Sequence, residues 1–202
     1  AAGVPIEEVD AEVLVAAAPP GVASQGVALR AGPLPEVPLG ELARAGVAPR
    51  TLGALDGVED PHNVGAITRV AEACGASGLL LSRRRAPPLG AVVSRASAGA
   101  IEWLPVARVP NLGRALNTLK EKGFWVFGCD PDGAEELFAL PARVVAGDQV
   151  VVLGAEGRGL RAGILRVIDH RIRIPMAGRV ASLNVAAAAA VVLFELRRRR
   201  FP

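Results

Sequence analysis

Three short segments of the chain combine glycines with polar side chains in patterns that can bind a ligand or assist a reaction. They are LDGVEDPHNVGAITR (residues 55–69), VVVLGAEGRG (residues 150–159) and IRIPMAGRVASLNV (residues 172–185). Each lies at the carboxyl end of a predicted β-strand and continues into a polar or glycine-rich turn. Because open α/β sheets bind their ligands at the carboxyl ends of the strands, the three turns are candidate ligand-binding segments.

In the first segment, a polar turn separates a predicted strand from a helix that we expect to begin near Val64. Asn63 then occupies the N-cap position, where an Asn side chain commonly bonds to the first backbone N–H groups. Arg69 lies six residues further along the helix. It either faces solvent, as a single arginine usually does, or points toward the strand ends and binds a phosphate.

The second segment is rich in glycine, which lets a ligand approach the backbone closely. Its glycine order is G-x-x-G-x-G rather than the G-x-G-x-x-G of dinucleotide-binding turns, and no acidic residue ends a strand about 20 residues later. A nicotinamide-dependent oxidoreductase is therefore disfavoured. Glu156 would repel phosphates, so it suits a neutral or cationic ligand, or a structural hydrogen bond.

The third segment breaks at Pro175 and enters a long helix, for which Ser182 is the predicted N-cap. Asn184 would then lie inside the helix, although Asn is a poor helix former, so capping alone does not explain it. The run Ala186–Ala190 follows. Its small side chains would let another backbone pack closely, at a crowded chain crossing or at a helix–helix dimer interface.

Short apolar runs alternate with amphipathic stretches from residue 51 onward. Because the predicted strands are apolar on both faces, they indicate an α/β fold with a mostly parallel sheet and helices on both faces. The strands are predicted at residues 51–58, 78–82, 124–129, 150–153 and 171–174. The helices are predicted at residues 64–74, 91–100, 112–122, 161–167 and 182–199.

The composition excludes several classes of protein. The chain has 202 residues, 51% of them hydrophobic and 21% charged, so it can form a packed core. No apolar run reaches the ~20 residues of a membrane span, and no signal peptide is recognisable. Two cysteines and two histidines are too few for a disulfide framework or a four-ligand zinc site, so we expect a cytoplasmic protein without a metal. Aromatic residues, at 3%, are too scarce for a base-stacking platform.

The net charge of +3 is unevenly distributed. Residues 1–50 hold three arginines against six acidic residues, a net charge of −3, whereas residues 51–202 have a net charge of +6. The acidic part also contains clusters of proline and glycine that are typical of a linker, so we place a boundary near Arg50. The basic part includes arginine runs at 83–85 and 197–200, which suit either an anionic partner or an ordinary solvated face.

In order and residue content, the three segments resemble the motifs of the SpoU (TrmH-type) branch of the SPOUT RNA methyltransferases. The matching patterns are D-x-x-x-D-P-x-N-x-G-x-x-x-R, G-x-E-x-x-G-L and I-P-M followed by S-L-N-V-x-x-A. The resemblance covers about residues 50–200. It implies an α/β sheet whose C-terminal part threads into a trefoil knot, and a homodimer that the knot helps to build.

The same resemblance implies that S-adenosylmethionine binds in the knot and that its methyl group passes to a ribose 2′-hydroxyl of RNA. The residues implied to bind the cofactor are Leu153, Gly154, Glu156, Gly157, Ile174, Met176, Ser182, Leu183 and Asn184. The residues implied to surround the reacting hydroxyl are Asn63, Arg69, Glu156, Ser182 and Asn184. Because a guanidinium rarely releases its proton, we expect Arg69 either to act as an unusual base or to orient a phosphate and stabilise the developing alkoxide.

Two further stretches resemble one subgroup, which methylates a guanosine of 23S ribosomal RNA. Residues 93–100 (VSRASAGA) resemble part of its catalytic domain, and residues 21–28 resemble its interdomain linker, although Ser24 stands where a histidine is usual. The implied division is a remnant of an N-terminal RNA-binding domain at residues 1–20, a linker or arm at 21–50 and the knotted methyltransferase domain at 51–202.

Three other functions remain open at this point. A tRNA ribose methyltransferase and an antibiotic-resistance rRNA methyltransferase belong to the same enzyme class, whereas a catalytically silent RNA-binding protein does not. The complete set of motif side chains disfavours the silent protein.

Overall fold

The computed structural model of the chain describes residues 4–18 and 25–200. Of the linker-like stretch at residues 21–28, residues 21–24 lie outside the described part. The predicted division of the chain into three parts, with boundaries after residues 20 and 50, stays a prediction.

Two compact units make up the chain. The first, residues 1–33, contains helix α1 (Ala11–Ala17), which has no buried residue. The second, residues 34–202, contains the other described elements. Its helices are α2 (Leu39–Leu42), α3 (Pro61–Ala73), α4 (Ala91–Ala96), α5 (Leu112–Glu121), α6 (Ala142–Val145), α7 (Ala162–Leu165) and α8 (Val185–Arg200), with 3-10 turns at Ala100–Glu102 and Leu137–Ala139. Its strands are β1 (Thr51–Asp56), β2 (Gly78–Ser82), β3 (Val106–Val109), β4 (Trp125–Cys129), β5 (Glu135–Glu136), β6 (Gln149–Gly154) and β7 (His170–Arg173).

No helix in the described part of the chain is long and apolar enough to cross a membrane.

The seven strands form one sheet in the order β3-β2-β1-β6-β4-β7-β5, and every named pairing is parallel. The α/β class and the parallel sheet are therefore confirmed. Strands β3 and β5 are additional to the sequence prediction, because runs of four and two residues are too short to show a period. The trefoil knot stays a prediction.

Side chains at alternate strand positions pack into two apolar clusters, one on each face of the sheet. In β6, Val151 and Leu153 pack with α3, α4 and α8 on one face. Val150 and Val152 pack with α2, α5 and α7 on the other. The sheet is covered on both faces, as the apolar strands predicted.

Helix α3 begins earlier than predicted. The Asp60 side chain is its N-cap and accepts a hydrogen bond of 2.9 Å from the backbone N–H of His62, and Pro61 occupies the first helical position. Proline suits that position because it has no N–H to leave unpaired. The prediction of Asn63 as N-cap is therefore wrong, and Asn63 lies in the first turn with its side chain available for other contacts.

The last arginine of the run at 197–200 has a structural role. Arg200 donates hydrogen bonds to Thr51 Oγ1 (2.6 Å), to the carbonyl oxygen of Val145 (2.7 Å) and to that of Gly147. Burial lowers the pKa of Arg200 to about 10. Arg200 thus ties the end of α8 to the start of β1 and to the segment before β6, and it is not part of a solvated basic face.

Gly65 marks the closest approach of α3 and α4. A Cβ at this position would lie 2.4 Å from Cβ of Ala96 and 2.9 Å from the carbonyl oxygen of Val93. We expect Gly65→Ala to lower the free energy of unfolding by about 1–3 kcal/mol, because the two helices must move apart. Urea denaturation measures this change.

Gly113→Ala, in α5, is the matched control. Its Cβ would meet nothing closer than 3.6 Å, so the higher helix propensity of alanine should leave stability unchanged or raise it. If the two variants were equally stable, the close contact at Gly65 would not exist in solution.

Candidate active site

The three polar segments of the sequence meet at the carboxyl edge of the sheet. Because all the paired strands are parallel, their carboxyl ends lie at one edge. Strands β1 and β6 are neighbours, with Asp56 opposite Gly154 in the register, so the first two segments leave the sheet side by side. The third leaves from β7, which pairs with β4. The predicted position of each segment at a strand end is confirmed.

The Asn184 side chain connects all three segments. Its Nδ2 donates one hydrogen bond to Oδ1 of Asn63 (3.1 Å) and another to Oε1 of Glu156 (2.5 Å). One amide group thus holds the first and second segments against the third. Asn184 and Glu156 are both exposed, so a substrate can reach them.

Asn184 also determines where α8 begins. Its Oδ1 accepts hydrogen bonds from the backbone N–H groups of Ala186 (2.9 Å) and Ala187 (3.3 Å), and the helix starts at Val185. The prediction of Ser182 as N-cap is therefore wrong. Ser and Asn are equally good caps, so local sequence could not choose between them, whereas the bonds to the other two segments favour Asn184.

The second segment forms a tight turn that closes on itself. The N–H of Gly159 donates to the carbonyl oxygen of Ala155 (2.8 Å), and these two residues form an antiparallel bridge. A Cβ on Gly154 would collide with the backbone of Gly159, so the position requires glycine. Between the two ends of the turn, Glu156 is held in an exposed position beside Asn184.

A buried carboxylate joins the first segment to the end of the second. Asp56, which is 1% exposed, accepts hydrogen bonds from the backbone N–H (2.9 Å) and the Nε (2.6 Å) of Arg161, and the two side chains form an ion pair. Sequence reasoning assigned Asp56 no role. The signal was its position at the end of an apolar strand, because a carboxylate buried there needs a partner.

A cleft opens between the second and third segments, beside the ends of β4 and β6. The residues implied to bind the cofactor that line it are Leu153, Gly154, Glu156, Gly157, Ile174, Met176, Ser182 and Leu183. The ninth, Asn184, contacts the lining residue Glu156. Among the described lining residues there is no lysine or arginine. Most of the lining is apolar, and it also includes the carboxylates of Asp130 and Glu156, so the cleft suits a neutral or cationic ligand better than a phosphate.

The end of β4 adds two lining residues that no sequence pattern singled out. Asp130 is 9% exposed and its Oδ2 accepts a hydrogen bond of 2.8 Å from Nε of Arg171, which compensates its charge. Burial raises the pKa of Cys129 to about 11, so the thiol stays protonated at neutral pH and is a weak nucleophile. Within residues 4–18 and 25–200, no three His, Cys, Asp or Glu side chains are grouped to hold a metal ion.

Arg69 is separate from this cluster. It is exposed on α3, six residues beyond Asn63, which places the two side chains about 120° apart around the helix. Among the described residues, none forms a hydrogen bond or ion pair with the Arg69 side chain. The structure therefore joins Asn63, Glu156 and Asn184 but does not bring Arg69 into contact with them, and its guanidinium is available to an anion from outside the chain.

Replacement of Asn184 separates its two roles. Asn184→Ala removes the cap of α8 and both amide bonds, so we expect the free energy of unfolding to fall by about 1–2 kcal/mol. Asn184→Asp keeps a capping oxygen but sets a second carboxylate against Glu156. We expect its stability at pH 7 to recover when Glu156→Gln is added, as urea denaturation would measure. An Asn184→Ala protein as stable as the wild type would show that the amide connects nothing.

Residues 52–194 match the SpoU rRNA Methylase family. The protein slr0955 of Synechocystis sp., whose name is that of an uncharacterised tRNA/rRNA methyltransferase, is 42% identical over 179 residues. The alignment covers 87% of this chain and 46% of slr0955. The chain spans about half the length of the curated relatives that it matches.

Two solved structures with AdoMet have a similar fold. The SpoU methyltransferase AviRb from Streptomyces viridochromogenes, in complex with the cofactor AdoMet, superposes with a TM-score of 0.70 at 31% identity, over 78% of this chain and 63% of AviRb. An AdoMet-bound rRNA methyltransferase from Sinorhizobium meliloti gives a TM-score of 0.72 at 32% identity, over 81% of this chain and 61% of that protein. Because the family match covers more than half of the residues and includes all three segments of the site, the chain belongs to the SpoU rRNA methylase family.

Proposed function

We propose that this protein binds S-adenosylmethionine in the cleft and transfers its methyl group to a ribose 2′-hydroxyl of RNA. Membership of the family supports methyl transfer to RNA, and two similar structures hold AdoMet. The observation that carries the proposal is the Asn184 amide, which joins Asn63 and Glu156 at the edge of the cleft. It brings one polar side chain from each segment to the place where an apolar pocket meets solvent.

The cleft residues fit a ligand that combines a flat purine with a sulfonium cation. The side chains of Leu153, Ile174, Met176 and Leu183 supply apolar surface for the purine. Met176 and Leu183 are each 38% exposed, so a ligand can still cover them. The turn at residues 154–157 presents backbone groups, and no described lysine or arginine in the lining repels a cation.

Bound S-adenosylmethionine supplies a methyl group that is already activated by its sulfonium. The chain must then align the ribose hydroxyl, whose proton would pass to water as its oxygen accepts the methyl group and the sulfonium becomes a neutral thioether. In the proposal, Asn63, Glu156, Ser182 and Asn184 offer hydrogen-bonding groups to the ribose. Arg69, which has no described partner, holds a phosphate of the RNA and stabilises the negative charge that develops on the oxygen.

The proposed target is a guanosine of 23S ribosomal RNA. The resemblance of residues 93–100 to the 23S rRNA subgroup supports this target, and the similar structure from Sinorhizobium meliloti is that of an rRNA methyltransferase. We also propose a homodimer, as the family resemblance implies, and a cytoplasmic location, which the low cysteine count favours.

Tritiated S-adenosylmethionine tests the reaction directly. With transcripts of 23S rRNA or tRNA, we expect label in the 23S rRNA, recovered after nuclease digestion as 2′-O-methylguanosine. Label in tRNA alone would overturn the rRNA target while preserving methyl transfer. Label in neither RNA, although calorimetry shows cofactor binding, would identify a catalytically silent RNA-binding protein.

Arg69→Ala tests the role of the guanidinium. We expect the rate of methyl transfer to fall by about a hundredfold or more, because a group that stabilises charge in the transition state is lost. The dissociation constant for S-adenosylmethionine should be nearly unchanged, because Arg69 does not line the cleft. Arg143→Ala, an exposed arginine of α6, is the control. An equal loss of cofactor binding and of rate would contradict the proposed role.

A further inference from the structure

A second concave surface lies at the same edge of the sheet, beside the end of β2 and the start of α5. We call this surface the arginine pocket. Among its described lining residues there is no aspartate or glutamate. Its polar lining includes Arg84, Arg85, Arg114, Arg161, Asn111 and Asn117.

Within the described part of the chain, three of the four guanidinium groups have no acidic partner. Arg84, Arg85 and Arg114 are exposed, and none of their side chains forms an ion pair or hydrogen bond with a described residue. The fourth, Arg161, pairs with the buried Asp56. Like charges gathered in one concavity repel each other, so the bare pocket is electrostatically unfavourable and an anion would relieve it.

The start of α5 adds neutral donors to the same pocket. Oδ1 of Asn111 accepts the backbone N–H of Arg114 (3.0 Å), which leaves its Nδ2 group as a donor. Helix α5 has ten residues, and the positive end of its dipole is at this terminus. Guanidinium groups, amide donors and a helix N-terminus together are the combination that binds a phosphate.

We propose that the arginine pocket binds a backbone phosphate of the RNA substrate close to the reacting ribose. This inference rests on the proposed function, and it assigns a second contact to the same RNA. In the sheet, β1 alone separates β2, which ends at Ser82, from β6, which ends at Gly154. Two strand spacings amount to about 10 Å, so one strand of RNA along this edge can reach both pocket and cleft.

Arg161 connects the arginine pocket to the candidate active site. It lines the arginine pocket, and it pairs with Asp56, the residue from which the first segment leaves the sheet. A phosphate bound in the pocket would therefore be held at a defined position relative to Asn63 and the cleft. The contact would be independent of sequence, because a phosphate carries no information about its base.

The test compares the double variant Arg84→Gln/Arg114→Gln with the control Arg143→Gln. Arg143 lies on α6, which precedes β6 and so belongs to the opposite edge of the sheet. The probe is a fluorescein-labelled oligouridylate, and fluorescence anisotropy at several salt concentrations gives its affinity. The pocket is proposed to hold one phosphate, and each neutralised phosphate of a single strand adds about 0.7 to the slope of log affinity against log salt, so we expect the slope to fall by about 0.7. At 0.1 M salt this corresponds to about a fivefold loss of affinity.

Two controls separate charge from folding and from the proposed function. Arg84→Lys/Arg114→Lys keeps both charges and should keep most of the salt slope. Cofactor binding to the glutamine variant, measured by calorimetry, should match the wild type, because neither arginine lines the cleft.

The outcomes for the two proposals are distinct. If the glutamine variant binds oligouridylate with the affinity and slope of Arg143→Gln, the arginine pocket does not bind RNA, whatever the methylation assay shows. If wild-type protein methylates no RNA but the glutamine variant loses slope as expected, the proposed methyl transfer is wrong and the phosphate site stands.

Discussion

The side-by-side pairing of β1 and β6 is the constraint on which the candidate active site depends. The parallel register sets Asp56 opposite Gly154, so the first and second segments leave the sheet as neighbours. Asp56 is buried at this point, and a carboxylate there is tolerated only with a close cation. Arg161 supplies that cation from the end of the glycine turn. The ion pair thereby holds the turn over the end of β1, and Glu156 comes within reach of Asn184.

Charge is divided along the carboxyl edge of the sheet. The cleft beside β4 and β6 has no described cation in its lining, whereas the arginine pocket beside β2 has four. A cationic cofactor would be favoured in the cleft and repelled by the arginine pocket, whereas an anionic RNA backbone would be favoured in the arginine pocket. Part of the positive charge of residues 51–202 is thus gathered in one concave surface.

Helix α8 contributes both to the hydrophobic core and to the candidate active site. Its residues Val185, Ala189 and Val192 are buried with α3 in one core cluster, and Arg200 holds its far end. Ala189 of the alanine run thus packs within the chain. Since Asn184 caps the same helix, the amide that joins the three segments is attached to a well-packed element.

The α/β class and the position of the three segments at strand ends could be predicted from the sequence, because strands and glycine turns are local patterns. Most of the cleft lining was predicted from the resemblance of the three motifs to the SpoU family. The N-cap residues of α3 and α8 were not predicted correctly. At α3 an Asp-Pro pair outcompeted Asn63, and at α8 two good capping residues stood two positions apart. Strands β3 and β5 could not be predicted either, because runs of four and two residues are too short to show the alternation of a strand.

Only the tertiary structure decided which side chains meet. The side chain of Asn184 bonds to that of Asn63, 121 residues away, and Asp56 pairs with Arg161, 105 residues away. In contrast, Arg69 lies only six residues from Asn63 but contacts neither Asn63 nor Asn184. Sequence by itself determined the groups that could do the chemistry and the edge at which they would lie. Their contacts depend on strand order and on the angle of each residue around its helix, and both are set by the packing of segments that are distant in the chain.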